Sequence, residues 1–221
     1  MYNLKEMLNK YNTKFKYNDG DGIIDKTKKS YEFKIGNIPI LLSAPHSVKQ
    51  FREGKQKIQD SLTGPIAEVL ADLTKCSCIY RIYNDGTDPN YYNEDGGYKQ
   101  EIEKIIHEYN IKLLIDLHGA KNREEFNVDI GTNNGINLNG KLELPKLLIK
   151  SLERNGVENI KQDYLFRASK HYNVSKTIAE RTKIPCMQVE IALKYRDLNN
   201  FENVEKVING LQEFIMEMCK Y

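Results

Sequence analysis

The segment KLLIDLHG, residues 112–119, decides the fold, because a nearly continuous apolar run ends in a carboxylate, a histidine and a glycine. Such a run is typical of a strand that is buried on both faces of a parallel sheet. Similar runs occur at residues 38–44, IPILLSA, and at residues 186–193, CMQVEIAL. Between them, apolar residues recur at helical spacing, as in residues 62–73 and 98–109. This alternation predicts an α/β fold, a three-layer α/β/α domain with a mixed, largely parallel central sheet.

The chain of 221 residues has no linker-like segment and no internal repeat, so we expect one domain over residues 1–221. Residues 1–30 are expected to add a charged helix and an Asn/Asp/Gly-rich turn in front of the sheet. The strand-like residues 31–35, YEFKI, are followed by Gly36-Asn37 and then by residues 38–44. This pattern predicts a β-hairpin at the start of the sheet.

Charge and composition disfavour several classes of partner. The formal net charge is +2 and no lysine run forms a patch, so we expect no nucleic-acid or membrane partner. The N-terminal segment is amphipathic and charged, without the apolar core of a signal peptide, so we expect a cytoplasmic protein. The cysteines form no C-x-x-C pair and are expected to be reduced thiols: Cys76, Cys78, Cys186 and Cys219.

Polar groups in or directly after the apolar strands are the candidate functional residues. His46 follows residues 38–44, His118 follows the run at 112–117, and Glu190 lies within residues 186–193. Ligands of open α/β sheets bind beyond the carboxyl ends of the strands, so the two histidines can meet there. A buried carboxylate such as Glu190 costs several kcal/mol unless it is paired or bound to a metal.

Asp116 precedes His118 by two positions in a strand, so both side chains point to the same side of the sheet. Metal-binding histidines usually need such a carboxylate to orient the ring. A histidine with satisfied hydrogen bonds in the core, next to a capping aspartate, is the alternative interpretation.

Three segments resemble, in the same order, the motifs of the N-formylglutamate amidohydrolase-like family. They are APHSVKQFREGKQKIQDSLTGPIAEVLA at 44–71, IDLHGAKNREEFNVDIGT at 115–132 and IPCMQVEIALKYRD at 184–197. The resemblance extends over most of the chain. It implies a zinc-carboxypeptidase-like fold and hydrolysis of an amide bond on an acylated amino acid.

The resemblance implies that His46 and His118 are metal ligands. Related carboxypeptidase-type enzymes use an H-x-x-E motif, but Lys49 occupies the position of the acidic residue here. Asp60 is our candidate for the acidic ligand, because it precedes a helix start where similar sequences have an acid. Glu53 is the alternative.

Two histidines and one carboxylate leave a coordination position of Zn²⁺ open for water, and the metal lowers the pKa of that water to about 7. Mn²⁺, Fe²⁺ and Co²⁺ also bind such sites. Glu190 matches the glutamate that acts as general base and acid in the family. Asn90, in a D-x-N element, is a candidate substrate contact.

An arginine is expected to pair with a substrate carboxylate, since the guanidinium suits bidentate pairing. Arg123 and Arg167 are the candidates, and His171 is a candidate for contact with the substrate or an oxyanion. The sequence thus predicts a zinc amidohydrolase acting on a small acidic acylated amino acid or short peptide. The alternatives are a metallopeptidase or γ-glutamyl-bond hydrolase on the same fold, or a non-catalytic binding domain that retains the fold.

Overall fold

The computed structural model describes residues 3–18 and 29–219. Its strands, in chain order, are β1 (Tyr31–Lys34), β2 (Ile38–Ala44), β3 (Gln50–Arg52), β4 (Lys55–Lys57), β5 (Cys76–Arg81), β6 (Leu113–Ala120), β7 (Val128–Gly131), β8 (Ile160–Gln162) and β9 (Cys186–Ala192). Its helices are α1 (Leu4–Asn18), α2 (Thr63–Thr74), α3 (Tyr98–Glu108), α4 (Leu144–Arg154), α5 (Val174–Thr182) and α6 (Phe201–Met218).

Seven of these strands form one sheet in the order β1-β5-β2-β6-β9-β7-β8. The four central strands β5, β2, β6 and β9 are parallel to one another. At the two sides, β1 pairs antiparallel with β5, β7 pairs antiparallel with β9, and β8 is parallel to β7. The prediction of a mixed, largely parallel sheet is confirmed. Strands β3 and β4 form a separate hairpin outside this sheet.

Helices cover both faces of the sheet. Helices α1, α2, α4 and α6 pack on one face and α3 and α5 on the other, each side with its own apolar core. Successive side chains of β6 point to opposite faces of the sheet and contribute to both cores. Leu114 faces one core, and Ile115 and Leu117 face the other. The three-layer α/β/α arrangement is therefore confirmed. None of the described helices is long and apolar enough to cross a membrane.

The predicted hairpin of residues 31–44 is wrong. Strand β5 lies between β1 and β2, pairing antiparallel with the former and parallel with the latter. All six residues of β5 are buried, and a strand in that position needs a hydrogen-bonding partner on each edge. The Gly36-Asn37 link instead crosses the start of β5, where the Asn37 N–H donates to the Lys75 carbonyl at 2.8 Å and the Gly36 N–H to Ser77 Oγ at 3.0 Å.

The remaining predicted elements lie close to the observed ones. Strand β6 extends beyond its predicted end to Ala120, so that His118 lies within the strand. The charged N-terminal helix corresponds to α1, which packs on α2. The Asn/Asp/Gly-rich turn that we expected after this helix lies outside the described residues. The prediction that fails is therefore the pairing of β1 with β2.

We expect Gly36→Ala to destabilise the fold by about 1–3 kcal/mol, the usual cost of forcing extra atoms into a packed site. A Cβ at Gly36 would lie 2.2 Å from the backbone carbonyl oxygen of Lys75, which cannot rotate away. Urea unfolding measures the change. The neighbouring Asn37→Ala serves as the control, because Asn37 is exposed. Equal stability of the two variants would contradict the crossing of this link over β5.

Candidate metal centre

The rings of His46 and His118 meet at one end of the central strands. Strand β2 pairs in parallel with β6, with Ser43 opposite Asp116, and the chain leaves β2 through the turn that carries His46. The centroids of the two imidazole rings are 4.8 Å apart and their planes are inclined by 76°. Both residues are buried. Parallel neighbours bring their carboxyl ends to the same edge, which explains why two residues so distant in sequence are in contact.

The carboxylate of Asp60 lies between the two rings. Its Oδ2 atom is 3.4 Å from His46 Nδ1 and 3.3 Å from His118 Nδ1. The β3–β4 hairpin extends the chain between His46 and Asp60 and returns it, so that the Asp60 N–H donates to the His46 carbonyl at 2.8 Å. Among the described residues, His46, Asp60 and His118 are the group that could hold a metal ion, with ligand atoms within 4.8 Å of one another.

Two buried aspartates hold the opposite nitrogens of the rings. His46 Nε2 is 2.8 Å from Asp88 Oδ1, and His118 Nε2 is 3.1 Å from Asp116 Oδ2. A carboxylate at Nε2 favours a proton on that nitrogen, so Nδ1, which faces Asp60, is the ring atom that each histidine could offer to a metal ion once that nitrogen is deprotonated. Both histidines thus present the same ring atom to the centre of the cluster. This donor set of two nitrogens and one carboxylate fits a metal such as zinc.

The loop after β5 supplies Asp88 and Asn90. Arg52 on β3 donates from Nε and Nη2 to Asp88 Oδ2, at 2.9 and 2.6 Å. The Asn90 side chain accepts from the Val174 N–H at the start of α5, at 2.8 Å, and its Nδ2 lies 3.1 Å from His118 Nε2. Asp88 and Asn90 therefore lie against His46 and His118, respectively.

Glu190 lies beside His118 on the neighbouring strand β9, directly opposite it in the parallel register. Gln188, two residues earlier on the same face, donates from Nε2 to Glu190 Oε1 at 2.9 Å. Burial, together with the nearby Asp60 carboxylate, raises the pKa of Glu190 to about 7, although the histidines and Arg196 oppose the shift. A carboxyl group with this pKa can both accept and donate a proton near neutral pH.

The ionisable groups of the cluster differ in the direction of their pKa shifts. Burial raises the pKa of Asp60, but hydrogen bonds from His118 and His46 outweigh it and hold the pKa well below the usual range. Burial lowers the pKa of both histidines, but their carboxylate neighbours outweigh it and raise the pKa of each above the ordinary value. Asp60 is therefore a persistent anion, whereas the Glu190 carboxyl can exchange a proton.

Arg196 is a buried arginine whose charge acts on Asp60 and Glu190. Its guanidinium donates to the backbone carbonyls of Ser61, Ala120 and Ile191, at 2.6, 3.1 and 2.9 Å. A Cβ at Gly119 would lie 2.3 Å from Arg196 Cζ, so the absence of a side chain there makes room for the guanidinium. Arg196 thus joins the segment after Asp60 to the ends of β6 and β9.

The cluster opens into a cavity of about 670 Å³, whose lining includes His46, Asp60, His118 and Glu190. Arg123 and Arg167 also line this cavity, as does Asn90. His171 is exposed on the loop before α5, where its ring lies against Tyr172 with centroids 4.5 Å apart. Glu53, the alternative acidic ligand, is exposed at the turn of the β3–β4 hairpin, where its carboxylate accepts a hydrogen bond from the Tyr91 hydroxyl.

No family model matches this sequence, and no curated protein matches it by sequence. The fold is similar to that of a bacteriophage poly-γ-glutamate hydrolase, with 16% identity and a TM-score of 0.53 over 85% of this chain and 87% of that one. It is also similar to N-formylglutamate amidohydrolase from Ralstonia eutropha JMP134, with 10% identity and a TM-score of 0.56 over 88% and 98% of the two chains.

The chain shares the fold of these amide hydrolases. A Shewanella denitrificans OS-217 protein assigned as a carboxypeptidase A is similar as well, with 12% identity and a TM-score of 0.50. That alignment covers 86% of this chain and 60% of the larger protein. The resemblance inferred from the sequence motifs is thus confirmed at the level of the fold, including its likeness to a carboxypeptidase fold.

Several residues around the cluster have contacts that the sequence pattern does not predict. The sequence pattern indicates Asp88 only as the first residue of the D-x-N element, although its side chain faces His46, and it gives no sign of a role for Arg52. The period of two along a strand could have indicated Gln188, because it lies on the same face as Glu190. Nothing in the sequence indicates the contact between Asp88 and Arg52, because separate segments supply them.

Proposed function

We propose that this protein is a metal-dependent amidohydrolase that cleaves the amide bond of a small acidic N-acyl amino acid similar to N-formylglutamate. The observation that carries this proposal is the convergence of His46, Asp60 and His118 beside Glu190 in one cavity. Amide hydrolases of the same fold support the reaction class.

In this proposal the metal ligands are His46 and His118, each through Nδ1, and Asp60. Asp60 is preferred to Glu53 because its carboxylate lies between the two histidines, whereas Glu53 is exposed at a hairpin turn. Two imidazoles and a carboxylate with an open position suit Zn²⁺, and Mn²⁺, Fe²⁺ and Co²⁺ accept the same donors. Asp88 and Asp116 orient the rings.

The chemistry that such a metal supplies is Lewis acidity, which polarises the amide carbonyl and acidifies water. Glu190 takes the proton from the attacking water and then passes it to the leaving nitrogen. Its raised pKa of about 7 suits both steps, because the carboxylate is basic enough to accept the proton and acidic enough to return it. Gln188 orients the Glu190 carboxylate through its hydrogen bond to Oε1.

Arg123 and Arg167 are the proposed partners of the substrate carboxylates, because both residues line the cavity and are exposed. Asn90 lies close enough to the cluster to contact the acyl group as well. His171 is proposed as a contact for a substrate that extends beyond the cavity, in keeping with its exposed position on the neighbouring loop.

A γ-glutamyl-bond hydrolase is the second candidate, and the charge of the cavity favours it. The cavity lining includes six basic side chains among the described residues: Arg52, Lys57, Lys121, Arg123, Arg167 and Lys170. Several cations around one cleft raise the local concentration of a substrate that carries several carboxylates. The similar fold of a poly-γ-glutamate hydrolase is consistent with this substrate class.

We expect the purified protein to bind about one equivalent of zinc, and His46→Ala and His118→Ala to abolish stoichiometric binding, because each removes one of three protein ligands. Elemental analysis after dialysis against zinc measures the content. His107→Ala is the control, because His107 is exposed on α3, and it should bind zinc like the unchanged protein. Stoichiometric zinc in either of the first two variants would refute the assigned ligands.

We expect Glu190→Gln to keep its zinc and to lose activity by about 10²-fold or more, the usual contribution of a general base. The amide is nearly isosteric but cannot accept the proton. Release of the free amino acid from N-formylglutamate measures the rate. Glu153→Gln, at an exposed position on α4, is the control. Full activity of Glu190→Gln would exclude the role of Glu190 as general base. If the unchanged protein bound zinc but hydrolysed no amide, a binding domain would be favoured.

We expect Arg123→Gln and Arg167→Gln to weaken kcat/KM for acidic substrates by about 10- to 100-fold each, since hydrogen bonds to charged groups contribute about 1.5–3 kcal/mol. Hydrolysis of an N-acyl amino acid amide, which carries no carboxylate, should change less. Arg181→Gln, whose arginine pairs with Glu103 on the α3–α5 surface, is the control. A kcat/KM that rises with the number of γ-glutamyl units would favour the second candidate, and equal losses on neutral and acidic substrates would contradict both arginine assignments.

A further inference from the structure

The segment Asp88–Tyr92 supports both histidines of the candidate metal centre from behind. Asp88 Oδ1 faces His46 Nε2, and the Asn90 side chain lies against His118 and the start of α5. The segment is folded on itself, because the Asn90 N–H donates to Asp88 Oδ1 and the N–H groups of Tyr91 and Tyr92 donate to the Asp88 carbonyl. A small displacement of this turn would therefore move both supporting side chains together.

Lys99, in the first turn of α3, holds this turn in place. Lys99 is 1% exposed, and its Nζ donates to the backbone carbonyl of Pro89 at 2.7 Å and to that of Tyr92 at 2.8 Å. The same Nζ pairs with Asp95 Oδ2 at 2.8 Å. A buried ammonium costs several kcal/mol unless partners compensate it. Lys99 therefore occupies a costly position in which all three compensating partners belong to the loop that carries Asp88 and Asn90.

We propose that Lys99 is a positioning residue of the metal centre, which fixes the Asp88–Tyr92 turn so that Asp88 orients His46 and Asn90 remains against His118. The inference rests on the proposed metal site. Pro89, whose carbonyl Lys99 binds, separates the two residues that contact the histidines. Because the ammonium binds backbone carbonyls, it fixes the path of the chain. A substrate need not touch it.

The rest of the loop has its own support, so the fold should survive the loss of Lys99. Arg81, which is fully buried, donates to the Thr87 carbonyl at 3.0 Å and pairs with Asp85. The apolar face of α3 also packs into the core through Ile102 and Ile105. We therefore expect removal of the Lys99 ammonium to loosen residues Pro89–Tyr92 while the domain stays folded.

The test compares the zinc affinity of Lys99→Met with that of Lys104→Met, by competition with a chromophoric chelator. Lys104 is an exposed lysine on the same helix. We expect Lys99→Met to bind zinc about 10- to 100-fold more weakly, the usual effect of disturbing the groups that orient metal ligands. Lys104→Met should stay within about twofold of the unchanged protein, as surface substitutions do. Unchanged zinc affinity of a folded Lys99→Met would overturn the proposal.

A double-mutant cycle with Asp88→Asn separates a positioning role from a general loss of stability. If Lys99 acts through the Asp88–Tyr92 turn, the double variant should lose less zinc affinity than the sum of the two single losses. Additive losses would overturn the proposal. If Lys99→Met does not fold, as judged by circular dichroism, Lys99→Gln takes its place in the same cycle, because its amide retains an N–H donor.

Zinc binding by the unchanged protein distinguishes failure of the metal centre from failure of the role of Lys99. Absence of zinc binding by the unchanged protein would overturn both the proposed function and the role of Lys99. Tight zinc binding by the unchanged protein, equalled by the folded Lys99 variant, would leave the metal centre in place and overturn the role of Lys99 alone.

Discussion

The parallel pairing of β2 with β6 is the constraint on which the rest of the site depends. It brings the turn after β2 and the end of β6 to one edge of the sheet, where the rings of His46 and His118 come together. The next parallel neighbour, β9, places Glu190 directly opposite His118. Because the central strands are covered by helices on both faces, polar groups in them cannot reach bulk solvent except at this edge. The chemistry is therefore concentrated where the strands end.

Buried charge explains why so many side chains around the cluster are held by more than one contact. Asp88 and Asp116 are fully buried, and each faces a ring nitrogen. Isolated charges in such surroundings would cost several kcal/mol, so each needs a partner of opposite charge or a set of hydrogen bonds. Arg52 supplies the partner for Asp88, and Lys99 holds the loop that carries it. The same contacts that compensate the burial of charge also restrict the orientation of the rings, which is the property a metal centre requires.

Two carboxylates of the site experience opposite environments. Asp60 receives hydrogen bonds from both histidines, which keep its pKa low. Burial of Glu190 instead raises the pKa of that carboxyl group to about 7. A pair of carboxylates with separated pKa values is a common arrangement in hydrolytic sites, where one remains an anion and the other exchanges a proton. The basic lining of the cavity adds a third element, an attraction for anions.

The sequence by itself determined the class of fold, because apolar strand runs and helical periodicity are local signals that survive in a single chain. It also indicated His46, His118 and Glu190, since polar groups in or directly after buried strands are visible without a structure. It did not determine strand order: the Gly36-Asn37 link has the composition of a hairpin turn, yet β5 lies between β1 and β2. Only the tertiary structure brought Asp60 between the two histidines and placed Asp88, Arg52 and Lys99 behind them. Those contacts join segments that are distant in the chain, and hydrogen bonding between such segments leaves no periodic trace in the sequence.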